Sequence, residues 1–506
     1  MTVLVLGDQL TREVGPVATR DEPILMIEAR SFARRLPYHP HKLTLVFAAM
    51  RAFRDALRTA GRTVEYHRVE TFADGFAAHA EQNPGDELVV MEPQGRGAVE
   101  RLRTLAADAG CQLEVLENEL FLCSTEQFER WAADRSPPYR HESFYRFMRR
   151  ETGYLMADGE PVGGEWNYDD HNREFPGPDD EPPSPPVFEP DERTRETAAW
   201  VERTFAGGYE EPPYGGDWAD PEPFGWPVTR EDALAALEAF VESRLAAFGP
   251  YQDAMLEREW AMYHSLLSAP MNLGLIHPTE VVEQVIDGAR ADPAVPIESV
   301  EGFVRQVIGW REFMRGVYRE RTGLEAANQL GASADLPPCY WSGETEMACL
   351  GDAVASVRER GYSHHIQRLM VLSNFALLYG VEPAQLNRWF HAGYVDAYHW
   401  VTTPNVVEMG LYAAGAFATK PYAASANYID RMSDYCGGCR YDENATTGED
   451  ACPFNALYWS FLDHNEDELR SNHRMALVYS HLENKDHEAI AERTEEIRRL
   501  AADERL

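Results

Sequence analysis

The chain has 506 residues, with 84 acidic against 47 basic side chains and a formal net charge of −37. That length can bury a large core and predicts two or three domains, and the charge alone argues against nucleic acid as a partner, although an arginine-lined face could still bind DNA. No apolar run is long enough to cross a membrane, no secretory leader is recognisable, and seven cysteines, an odd number, argue against a disulfide scaffold, so a reducing cytoplasm is expected. Only three lysines are present (Lys42, Lys420, Lys485). An acidic surface of this kind suits a protein kept soluble in concentrated salt, where screening shortens the reach of repulsion, and predicts a halophilic source.

Residues 1–124 alternate short apolar runs with amphipathic stretches. Strands are expected at Val3 to Leu6, Ile24 to Ile27, Val64 to His67, Leu88 to Met91 and Leu113 to Leu116, with a helix from Lys42 to Leu57. That βαβ rhythm predicts a parallel, Rossmann-like sheet with helices on both faces and ligand contacts at the carboxyl ends of its strands. Gly7-Asp8-Gln9-Leu10 and Glu28 stand at two such ends, where helix capping is the competing role. No G-x-G-x-x-G follows the first strand, so a dinucleotide is not expected in this domain.

A connector over 125–230 follows. It carries Tyr139-Arg140-His141 and Phe144-Tyr145-Arg146-Phe147-Met148-Arg149-Arg150, arginines interleaved with aromatics as suits phosphates and stacked bases, or equally an exposed helix with a buried aromatic stripe. From Phe175 to about Trp226 the chain is rich in Pro, Gly, Asp and Glu and reads as an interdomain linker.

From 231 to 506 the pattern is helical throughout, with helices expected at 231–247, 279–289, 300–318, 364–379, 383–391, 471–482 and 486–502. This predicts an all-α domain. Within it, Ser265 and Ser268 lie three apart near a helix start, a spacing that suits a pyrophosphate or simple capping.

Near the end stand Cys436-Gly437-Gly438-Cys439 and Cys452-Pro453-Phe454-Asn455. Thiolates in this spacing converge on one inorganic centre. Cys349, in an apolar helical context, is the preferred fourth ligand over Cys339, Cys111 and Cys123. Spacing alone leaves structural zinc or unconnected buried thiols open, while the Cys-Pro pair and the surrounding Tyr435, Tyr441 and Trp459 favour iron–sulfur.

In order and spacing, Tyr251-Gln252-Asp253, His264 to Pro270, Gln306 to Phe313, His364-His365 and Trp389 to Trp400 resemble the flavin-binding domain of photolyases and cryptochromes. With the cysteines, Gly7 to Leu10, the His41-Lys42 to Met50-Arg51 helix and Gly163-Gly164, the chain is similar to the iron–sulfur bacterial cryptochromes and (6-4) photolyases nearly end to end.

The resemblance implies FAD held by Tyr251, His264, Ser265, Leu267, Ser268, Gln306, Trp310, Arg311, Glu312, Arg368, Asp396 and Tyr398. It implies a [4Fe–4S] cluster on Cys349, Cys436, Cys439 and Cys452, and a 6,7-dimethyl-8-ribityllumazine antenna near Gly7, Asp8, Gln9 and Glu28. The implied activity is that of a monomeric lyase, light-driven repair of (6-4) lesions in UV-damaged DNA, with His365, backed by His364, as proton donor at a pKa near neutral. Trp389 and Trp341 are the expected electron path, and Arg140, Arg146, Arg149 and Arg150 the expected DNA contacts.

Two positions depart from the family. Phe390 stands where relatives carry an oxidisable tyrosine, and Thr402 where they often carry an acid. Both departures favour the alternative of a blue-light photoreceptor without repair. A third class, a nucleic-acid-binding module with a structural cluster, predicts no flavin.

Overall fold

A computed structural model describes residues 1–177, 180–205 and 218–506. Asp179, in the acidic proline-rich run, lies outside the described residues.

Five strands, β1 (Thr2–Val5), β2 (Ile24–Ala29), β3 (Val64–Val69), β4 (Glu87–Met91) and β5 (Gln112–Leu116), form one parallel sheet in the order β3-β2-β1-β4-β5. Each expected strand is present. The residues of β1 and β2 are buried throughout because side chains alternate into two separate cores. Leu4, Leu25, Leu88 and Val90 pack on one face with Phe76. Val3, Val5, Ile24 and Met26 face the other, in the large core that continues through the helical half.

The helix Pro40–Thr59 starts where Pro40 fixes the first turn and the His39 ring accepts the amide of His41. Its Lys42 is buried and crosses to the helical half, donating 2.8 Å hydrogen bonds to the carbonyls of His391 and Ala397. Burial pushes that ammonium down to about 7, with Asp396 opposing the shift.

The stretch read as a linker contains the helix Glu192–Phe205. It lies against Pro40–Thr59, with Phe47 edge-on to Trp200 at 5.2 Å and Arg51 donating to Thr197. Proline-rich flanks hid its apolar positions Val201 and Phe205 from a compositional reading.

The remaining regular structure is helical apart from a two-residue antiparallel hairpin, Met156–Ala157 against Glu160–Pro161, and isolated bridges. Three helical runs carry wide π turns, at Arg305–Arg311, Gln367–Ser373 and Pro404–Gly410. Such turns insert an extra residue into a helix and cluster at functional sites. All three line one cavity. No helix among the described residues is long and apolar enough to cross a membrane.

Candidate active site and cysteine centre

The cavity encloses about 860 Å³ within the helical half, near the top of the roughly 300–1,000 Å³ range of small-molecule and cofactor sites. Arg368 and Asp396 organise its wall. The guanidinium donates to both carboxylate oxygens at 3.1 Å, and its Nε donates to the Ser363 carbonyl at 2.7 Å. Asp396 also accepts the Ser268 hydroxyl at 2.7 Å, and its carbonyl accepts the Asn272 amide at 2.9 Å. The rings of Tyr394 and Tyr362 lie 4.2 and 4.9 Å from the guanidinium carbon, which offsets part of its desolvation.

Ser268 therefore neither caps its helix nor stands free. The helix Ser268–Leu273 has no side-chain cap, and the turn before it holds Leu266 at φ 61°, in the left-handed region. A leucine kept there is strained and is held by its surroundings. Of the flavin candidates, His264, Ser265, Leu267, Ser268, Gln306, Trp310, Arg311, Arg368 and Asp396 line the cavity.

Tyr251, Glu312 and Tyr398 do not line it. The Tyr251 hydroxyl donates to Asp180 at 3.0 Å, on the surface. Glu312 accepts the Cys123 amide at 2.9 Å and pairs with Arg311, tying the helical half to the end of the N-terminal domain. Tyr398 lies between Lys42, 5.9 Å from its ring, and Asp8, where burial and the two acids Asp8 and Asp396 hold its phenol protonated.

His365 opens onto the cavity even though it lies deep in the molecule, whereas His364 is fully enclosed and stacks on His264 with ring centroids 4.8 Å apart. The near-neutral pKa expected for the donor is not what this environment gives. Burial and the Arg368 cation push His365 down to about 4, and burial with the neighbouring histidines pushes His364 well below its ordinary value. Both rings are neutral at pH 7. The His264 Nε2 and both His364 ring nitrogens are buried without a hydrogen-bond partner.

Trp310 presents one face to the cavity and stacks its ring on His141 at 3.7 Å with planes 4° apart. A side chain at position 309 would put its first carbon 2.8 Å from the His141 ring, so Gly309 makes this stack possible. His141, quoted for its neighbouring arginine, thus serves the cavity wall. Arg173, Asp253, Tyr422, Tyr428 and Arg431 also line the cavity. Their scatter through the sequence left no pattern to find, apart from Asp253 in the Tyr251-Gln252-Asp253 run. Burial and Asp169 raise the Asp253 carboxyl to about 6.

Trp389 is fully buried behind Phe390, with ring centroids 5.1 Å apart, and Phe390 lines the cavity. Tyr394 stacks on Phe390 at 5.0 Å. Trp341 is partly buried and meets Trp218 edge-on at 5.0 Å. Thr402 also lines the cavity.

The expected DNA contacts separate. Arg149 is fully buried, its guanidinium held by the carbonyls of Leu155 and Trp166, and is unavailable to a phosphate. Arg140 and Arg150 are exposed; Arg146 pairs with Glu142, and Arg146 and Arg150 both lie over Trp166.

The antenna candidates differ similarly. Glu28 accepts from Arg51, Arg68 and Tyr66, so its oxygens are already occupied. Gln9 donates to the Met91 carbonyl. Asp8 is raised by burial to about 6, and Gly7 lies against Met50.

Cys349, Cys436, Cys439 and Cys452 line one small pocket with Tyr435, Tyr441 and Phe454. Burial raises the Cys349 thiol well above its ordinary value, and the three other thiols raise it further. Among the described residues, no three His, Cys, Asp or Glu side chains stand close enough to hold a single metal ion. Cys339, Cys111 and Cys123 line no part of this pocket.

Residues 3–211 match the family model "Deoxyribodipyrimidine photo-lyase-related protein". Over 489 residues the chain is 41% identical to the (6-4) photolyase of Agrobacterium fabrum, covering 94% of each. Its fold is similar to that of a bacterial class III photolyase from Agrobacterium tumefaciens (TM-score 0.58, 15% identity, 96% of this chain and 98% of that one). It is also similar to that of a Synechocystis cryptochrome (TM-score 0.59, 13% identity, 91% and 89%). On the length and identity of its match to the Agrobacterium fabrum protein, the chain belongs to the photolyase-related family of the (6-4) photolyases.

Proposed function

We propose that this protein repairs UV-damaged DNA by light, acting on (6-4) pyrimidine–pyrimidone lesions. The observation that carries the reading is a cavity large enough for a folded dinucleotide, where the Arg368–Asp396 fork and His365 face the same space.

The residues present fit FAD. Polar groups at Ser265, Gln306, Asn272 and Arg368, the unpartnered His264 Nε2, and apolar walls at Leu267, Met271 and Phe303 suit a ligand with a flat heterocycle and a charged bridge. When bound in its reduced form and excited by light, FAD supplies the single electron that opens the bond between the two bases. Asp396, fixed by Arg368, Ser268 and Asn272, orients the heterocycle edge. Trp310, held flat by His141, offers a stacking face to a base turned out of the duplex. The aromatic and methionine walls exclude water.

His365 presents a neutral imidazole to the base that must gain or lose a proton. A phosphate-bearing lesion brings negative charge that counters Arg368, raising His365 toward the range where it can both accept and donate. Arg140, Arg146 and Arg150 are the proposed duplex contacts, and Trp389, behind Phe390, would be the donor in photoreduction of a bound flavin.

The cysteine set supports a [4Fe–4S] cluster, since the four thiols of the sequence spacing line one pocket with aromatic neighbours. Asp8 and Gln9 remain the proposed contacts of a lumazine antenna. The acid excess supports a halophilic source, the odd set of free cysteines a reducing cytoplasm, and the resemblance a monomer.

The test is blue-light illumination of the photoreduced holoprotein with a (6-4)-containing oligonucleotide, read by chromatography of the bases. Restoration of intact pyrimidines supports the reading. No restoration, with flavin and iron verified, overturns it and leaves a purely sensory role.

A further inference from the structure

We propose that Tyr435 is a positioning residue for the histidine pair, connecting the cysteine pocket to the cavity through a buried hydrogen-bond relay. Tyr435 immediately precedes Cys436, is fully buried and lines the pocket of the four thiols. Its hydroxyl donates to Asp352 Oδ2 at 2.7 Å and accepts from Gln367 Nε2 at 3.0 Å. Asp352 lies one turn beyond Cys349 on the helix Ala348–Arg360, and its other oxygen accepts the Arg258 amide at 3.1 Å. Two of the three cysteine-bearing segments therefore converge on Gln367.

Gln367 passes the constraint on. It is fully buried, opens the π stretch Gln367–Ser373, and its Oε1 accepts the backbone amide of His364 at 3.3 Å. The His364 carbonyl, on the far side of the residue from that amide, accepts the Arg368 amide at 3.1 Å, so the backbone here is held at both ends. Both ring nitrogens of His364 lack partners, and among the described hydrogen bonds none falls on the His365 ring. The direction in which His365 enters the cavity is thus set by its backbone, and that backbone is tied through Gln367 to Tyr435.

A buried network could simply satisfy its own polar groups. It would then brace the cysteine pocket without reaching the histidines. The two roles separate when the hydroxyl alone is removed.

The proposal rests on the reading that His365 serves repair, so the experiment reads the relay both with and without catalysis. Tyr435→Phe holoprotein is compared with wild type for iron, flavin, hydrogen exchange at the His364 amide, and KM and kcat for lesion repair. Iron, flavin and KM are expected to stay unchanged. Exchange at His364 rises about tenfold and kcat falls about tenfold, the scale of one buried hydrogen bond. In a His365→Ala background the same change leaves kcat where His365→Ala already put it, because residues acting as one unit are not additive.

Unchanged exchange at His364, or a kcat loss that adds fully to that of His365→Ala, overturns the proposal. Should Tyr435→Phe lose iron, Gln367→Met, at a residue that lines no part of the cysteine pocket, decides by the same readouts. A wild type without repair activity defeats the functional reading, while exchange at His364 still tests the relay.

Discussion

Arg368 and Asp396 face each other as a two-pronged ion pair, both contacts at 3.1 Å, and the Ser268 hydroxyl, the Asn272 amide and the Ser363 carbonyl each attach to one of the two. Asp396→Asn leaves the guanidinium partly stranded. The expected cost is about 2–3 kcal/mol, below the roughly 3–5 of a fully enclosed pair because the Arg368 side chain is 23% exposed. Denaturant unfolding measures the loss, and flavin content should fall with it.

The buried histidines predict an acid-side weakness. Burial lowers His41 and His365 to about 4 and His264 to about 3, and depresses His39, His141, His364, His391 and His399 as well. Unfolded histidines bind protons below about 6.5 while these do not, so stability is fully present above that pH and falls as pH drops toward 4. Asp8 and Asp253, raised to about 6, act in the opposite sense over the same window but are outnumbered. Melting temperatures should therefore decline steadily from pH 7 to pH 4.5. A flat profile would mean that the rings titrate normally.

Phe390 separates Trp389 from the cavity by a ring that is hard to oxidise. Phe390→Tyr should speed photoreduction of the bound flavin, and Trp389→Phe should slow it at least tenfold by removing the buried donor, a rate ratio on the order of 1.4 kcal/mol in barrier. Steady illumination with a thiol reductant, followed at the flavin band, gives both rates.

Cys439→Ala should lose iron and much of the soluble yield, since ligated metal contributes directly to folding. Iron analysis of the purified variant decides. A soluble form retaining its full iron content would remove Cys439 from the ligand set.

The sheet was legible because apolar runs of four to six residues separated by amphipathic stretches admit few arrangements, and Val3, Ile24, Leu88 and Leu113 each fall on a strand. The four cysteines were legible because thiols are rare and their spacing is chemical. The sequence did not reveal which arginines stay outside. Arg149 and Arg150 are adjacent in the same helical pattern, yet one is enclosed by the Leu155 and Trp166 carbonyls and the other is exposed. Nor did it reveal that Glu28 is occupied, since its partners Arg51 and Arg68 come from another helix and another strand. The π turns escaped notice too, because a single extra residue barely disturbs helical periodicity.

The measurement that bears most directly on this account is flash-initiated repair of a (6-4) duplex by the reduced holoprotein, compared with His365→Ala. Wild type should restore the two pyrimidines, and the variant should keep its flavin and its lesion affinity while repair falls about a hundredfold or more, the usual contribution of a positioned proton-transfer group. Equal repair by both proteins, or none by wild type with its flavin in place, would contradict the account.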